Sequence, residues 1–230
     1  MVDLLSLLKD EKKEELKKEE SQIKELNQEI EELKKQLKQQ EQEHYKNIIL
    51  NLIIKKYSDY INEHEIKTIE DLKQAVQPQN QKIEELIKQF NSPTQTLKPI
   101  EIAKKAYEFV VTEIKTIPSL GINFWMSIKE VLENKIADNE DKAILLCSLI
   151  KSTGLNSEIA IVELNEGSNK PFVLIKKPEE KYTLLDINFQ HEFTKYEGTL
   201  EELKNNYEEN NQKISRFLYK FNDEKYEELT

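Results

Sequence analysis

The chain has 230 residues, 37% hydrophobic and 34% charged, with a formal net charge of -10 at pH 7. Such an acidic chain repels phosphate backbones, so nucleic acid is a poor partner for it. A single cysteine, Cys147, and three histidines without metal-ligand spacing, His44, His64 and His191, exclude an intramolecular disulfide and a thiolate zinc site.

The apolar start, Met1 to Leu8, lacks a basic flank and a cleavage site, so it does not read as a signal peptide. Leu4, Leu5, Leu7 and Leu8 read as a short docking peptide, a membrane-touching patch or a frayed helix start. No run approaches the ~20 apolar residues of a membrane span. With one thiol, a reducing, cytoplasmic setting is expected, and neither cofactor nor metal.

From Lys9 to Glu43 helix formers dominate, uninterrupted by Pro or Gly. Ile23, Leu26, Ile30, Leu33 and Leu37 step by three and four, with isoleucine at a and leucine at d. That is the seam of a parallel two-stranded coiled coil. At ~1.5 Å per residue it predicts a stem of roughly 50 Å that needs a partner helix, from another copy or from the chain folding back. A strip this narrow is not stable as a lone helix.

Domain limits are expected at 1–44 for the stem, 45–92 for a helical region and 93–230 for a globular domain. Ile48, Ile49, Leu52, Ile53, Ile54, Tyr57 and Ile61 give a broad helical face. Thr68 with Asp71 opens a short helix, which Pro78 breaks. Ile83, Leu86, Ile87 and Phe90 mark another. Residues 91–99 carry the turn residues of a linker. Beyond Pro99, Ile102 to Ile114 predict a buried helix, residues 125–135 a short helix or turn, and Asp138 to Lys151 an apolar helix closed by Gly154. Residues 157–164, 172–175 and 182–186 predict an antiparallel meander. Residues 200–207 and 214–226 are expected to be mixed and peripheral.

Trp125, followed by Ala137-Asp138-Asn139-Glu140-Asp141-Lys142-Ala143, resembles the transglutaminase-like family in its prokaryotic form. There a Trp-containing segment precedes Gly-Asp-Cys-Glu-Asp-Lys-Ala and an apolar helix, then a strand, a second strand opening on histidine, and a third ending in Leu-Asp. Lys170-Pro171-Phe172-Val173 and Leu185-Asp186 stand at the latter two places, and Phe221-Asn222-Asp223-Glu224 resembles a C-terminal element of archaeal members. The resemblance covers roughly residues 100–225. It implies an α+β, papain/transglutaminase-like core in which a helix packs on a small antiparallel sheet.

The family's chemistry needs a thiolate, an imidazole and an orienting acid. The resemblance places Asn139 at the nucleophile, Lys170 at the base and Asp186 at the acid. It therefore implies a degenerate, non-catalytic scaffold or adaptor that binds a protein or peptide, with Trp125, Asn139, Lys170, Phe172 and Asp186 at the groove. The alternatives are a thiol hydrolase or acyltransferase rearranged around Cys147 and His191, or a rod that the globular part merely caps. Among apolar neighbours, Cys147 reads as a core residue and His191 as a surface residue. Acidic residues at Asp138, Glu140 and Asp141 complement a helix dipole or hold a cation.

Overall fold

The computed structural model describes residues 24, 26–38, 40, 50, 54, 57, 59, 68–91, 97–118 and 125–229. The chain divides into two compact units, residues 1–63 and 64–230.

In the first unit, residues 26–38 are helical. Leu26, Ile30, Leu33 and Leu37 are 57%, 47%, 56% and 59% exposed, a stripe of large apolar side chains open among the described residues. Ile23 and most of the apolar face expected over 45–61 lie outside the described residues.

The second unit begins with α1 (Ile69–Ala75) and α2 (Gln81–Phe90). Thr68 and Asp71 form the anticipated reciprocal cap: Oγ1 accepts Asp71 N–H at 3.1 Å and Oδ2 accepts Thr68 N–H at 2.9 Å. Asn80 caps α2. Val76, Ile83 and Leu86 bury into the same core as the sheet. Next come α3 (Pro99–Glu113) and β1 (Lys115–Thr116). On α3, Ile102, Ala106 and Val110 follow one another at i, i+4, and that stripe faces inward.

After α4 (Ile128–Asn134), β2 (Ile136–Ala137) pairs in parallel with β1. Then follows α5 (Asn139–Ser152). Every residue from Asp141 to Ile150 on α5 is buried, the signature of a helix covered on all sides. Thr153 and Gly154 end it, the glycine at φ 88° where a side chain would be strained.

The meander follows as β3 (Ser157–Leu164), β4 (Asn169–Lys176) and β5 (Tyr182–Leu185), and then β6 (Tyr196–Gly198), α6 (Leu200–Asn206), β7 (Glu208–Glu209), β8 (Gln212–Phe221) and β9 (Tyr226–Glu228). All pairs in this sheet are antiparallel, in the order β6-β5-β4-β3-β8-β7, with β9 also on β8. The helix-on-antiparallel-sheet architecture is the α+β class anticipated.

The tail is a correction. Far from peripheral, β8 lies against β3, and Ile214, Phe217 and Phe221 are buried. Register shifts between Ile161 and Val162 and between Glu163 and Leu164 break its alternation, so Phe217 and Phe221 serve opposite faces.

The two faces of the sheet carry separate cores. Ile159, Ile161, Val173, Ile175 and Leu185 face α5, whereas Ala160, Val162, Phe172, Leu174 and Leu184 join Leu203 of α6. Burying each large side chain contributes about 1.5–3 kcal/mol.

Candidate functional site

Asn139 is the first residue of α5, behind Asp138, whose Oδ1 accepts Asp141 N–H at 2.9 Å. The Asn139 Oδ1 is buried and takes no hydrogen bond. Asp141 reaches back through its own Oδ1 to Met126 N–H at 2.9 Å, tying the segment before α4 to the first turn of α5. That tie sets Trp125 over the sheet, where its ring stacks on Phe221 at 6.5 Å and 11°.

Beside this turn lies a cleft of about 210 Å³. Trp125, Tyr219 and Phe221 give it aromatic surface, Asp138 and Glu140 carboxylates, and Ile144, Ile159 and Ile161 aliphatic surface; Asn169 and Pro171 of β4 also reach it. Burial raises Glu140, with the charge of Asp138 adding to the effect. Burial, followed by the charge of Asp138, pushes Asp141 up to about 8.

Lys170 lies between Asn169 and Pro171 and points the other way. Its Nζ donates to Asp186 Oδ2 at 2.8 Å, to Tyr207 Oη at 3.1 Å and to Gln212 Oε1 at 3.4 Å, which occupies its three protons. The Tyr207 hydroxyl donates to the same Asp186 oxygen at 2.5 Å, while Oδ1 accepts Asn188 N–H at 2.9 Å. The rings of Phe172, Phe189 and Tyr207 surround the ammonium at 5.2, 4.7 and 5.7 Å. Burial and then the carboxylate hold the Tyr207 phenol well above its ordinary value.

Of the residues expected at the groove, Trp125 lines the cleft and Asn139 stands at the start of the adjoining helix. Lys170 and Asp186 come together with each other, and Lys170 and Phe172 belong to the α6 face rather than the cleft. Asn169, Pro171 and Tyr219 are among the cleft residues that the sequence did not point to, because β4 is buried on both faces and its apolar run carries no mark of which side chains reach the cleft.

Cys147 is fully buried on α5. Its Sγ lies 3.4 Å from Ser157 Oγ, and burial pushes the thiol up to about 12. His191 is engaged rather than a bare surface residue: Nε2 accepts Asp186 N–H at 3.2 Å, which leaves Nδ1–H facing Glu192 O at 2.8 Å. Its ring packs 5.4 Å from both Tyr107 and Tyr196. The structure does not bring Cys147 and His191 together.

Residues 123–223 match the family model of the CEP76 peptidase-like domain. This agrees with the peptidase-like class of core expected from the sequence. No curated protein matches the chain. Among solved structures, Legionella pneumophila LapG aligns at 16% identity over 64% of this chain and 86% of its own, with a TM-score of 0.43. Calcium-bound LapG aligns at 18% identity over 64% and 86%, with a TM-score of 0.44. A Parabacteroides distasonis protein proposed to be a protease aligns at 14% identity over 51% of this chain and 25% of its own, with a TM-score of 0.41. Among the described residues, no helix is long and apolar enough to cross a membrane.

Proposed function

We propose that this chain is a non-catalytic, transglutaminase-like binding module that holds an extended peptide in the cleft at the start of α5. A single observation carries the reading: the location of the chain's one thiol. Thiol acyl transfer needs a thiolate free to attack a carbonyl. Cys147 is sealed in the core with its thiol pushed up to about 12, while an amide, Asn139, heads the helix. Lys170, at the place of the imidazole, is committed to Asp186 and Tyr207.

The exposed stripe of Leu26, Ile30, Leu33 and Leu37 supports self-association as a coiled-coil homodimer. Two clefts on one stem raise effective concentration toward a partner with two binding segments. The role is that of a cytoplasmic scaffold or adaptor. The thiol-enzyme alternative, using Cys147 and His191, is weakened by the burial of one and the engagement of the other.

The test pairs binding with turnover. Purified full-length chain is titrated with fluorescent peptides and incubated with amide and ester substrates. Saturable binding without hydrolysis is expected. Thiol-dependent turnover that Cys147→Ala abolishes overturns the reading.

A further inference from the structure

We infer that the cleft beside the first turn of α5 is a subsite for a cationic side chain, arginine or lysine, of the bound peptide. The inference rests on the binding role proposed above and names the class of ligand. It begins from an imbalance of charge. Elsewhere the domain pairs its buried and half-buried acids: buried Glu158 with Lys220 and Lys225, buried Asp186 with Lys170, and half-buried Asp223 with Lys151. Half-buried Asp138 and Glu140 and buried Asp141 are the exception. Among the described residues no lysine or arginine forms an ion pair with any of them, and no cation lines the cleft. The repulsion is visible in Glu140, which burial and Asp138 both drive toward its neutral form. A cation entering between Asp138 and Glu140 relieves that repulsion without rearranging the fold.

The remaining walls suit an organic cation. Trp125 lies parallel on Phe221, and Tyr219 sits 6.3 Å from Phe221, so the cleft presents aromatic rings as well as two carboxylates. A guanidinium or ammonium is attracted to both. Ile144, Ile159 and Ile161 give the aliphatic stem of such a side chain an apolar bed. The volume of about 210 Å³ fits one long side chain; sites that enclose a drug-sized molecule run to roughly 300–1,000 Å³. A bare metal ion finds poorer terms, since no group of three acidic, histidine or cysteine ligands forms among the described residues.

The experiment uses the full chain and a seven-residue alanine–glycine peptide carrying a central arginine, compared with the same peptide carrying citrulline, a neutral isostere. Binding is read by the fluorescence of Trp125, the only tryptophan, and by polarisation of a labelled peptide. The arginine peptide is expected to bind at least tenfold tighter, and Glu140→Gln, alone or with Asp138→Asn, is expected to bring the ratio below threefold. Asparagine is itself a good N-cap, so the helix start survives the second change. Equal affinity for both peptides overturns the cationic subsite while leaving the binding role standing. A preference that persists in the double variant overturns it as well. No binding of either peptide up to millimolar concentration overturns both readings, and turnover overturns the non-catalytic role alone.

Discussion

The ammonium of Lys170 and the carboxylate of Asp186 meet at 2.8 Å, with both side chains almost wholly withdrawn from solvent. Removing one partner leaves an unpaired buried charge, which costs about 3–5 kcal/mol. Lys170→Met is therefore expected to lower stability by that amount in urea unfolding at pH 7. Lys170→Met with Asp186→Asn, which removes the stranded charge too, is expected to recover at least half of the loss. A double variant as unstable as the sum of its singles would show that the two residues act independently.

Asp141 predicts a pH dependence of stability. Its folded pKa is raised from 3.8 to about 8, chiefly by burial. A raised carboxyl stabilises the fold fully below 3.8, where both states are protonated, and that contribution drains away as pH rises to about 8. Asp141→Asn keeps an oxygen for Met126 N–H and cannot ionise. Its advantage over the parent is expected to grow from pH 5 to pH 8, by on the order of 1–3 kcal/mol after allowing for residual solvation, and to show as several degrees in Tm. Melting curves that run parallel across that range would refute the assignment.

The Cys147 thiol, fully buried and pushed up to about 12, is expected to resist iodoacetamide at pH 8 in the native chain and to react at once in urea. Rapid, selective alkylation of the folded protein would restore the thiol-enzyme reading. Cys147→Ala removes a small core group packed beside Ser157 and is expected to cost about 1 kcal/mol without affecting peptide binding.

For the stem, Ile30→Pro places proline in a helix interior at a cost of about 3 kcal/mol. Light scattering is expected to report a dimer for the parent and half that mass for the variant. The same mass for both would remove the coiled coil as the means of association.

The sequence made α5 and the meander readable because their signals are local. Asp138 caps, Glu140 and Asp141 enrich the first turn, Gly154 ends the helix, and turn residues punctuate β3, β4 and β5. The Asn222 turn is another local device: Oδ1 accepts the Glu224 and Lys225 N–H groups at 2.9 and 3.0 Å, closing β8 onto β9. What stayed hidden is set by tertiary context. With both faces of β4 buried, its continuous apolar run does not say which way Lys170 points. The position of β8 beside β3 was obscured because its bulges scatter Ile214, Phe217 and Phe221 off a strict two-residue period.

Strand β4 also imposes a parity rule on how the domain can change. Asn169 and Pro171 open onto the cleft, while Lys170 and Phe172 serve the opposite layer. A single inserted or deleted residue inside the strand would exchange the two sets, swinging an ammonium into the acidic hollow and stranding Asp186. Length changes of two residues would leave each side chain in its own layer, so an odd change in β4 calls for a bulge to absorb it, as β8 does, and an even one does not.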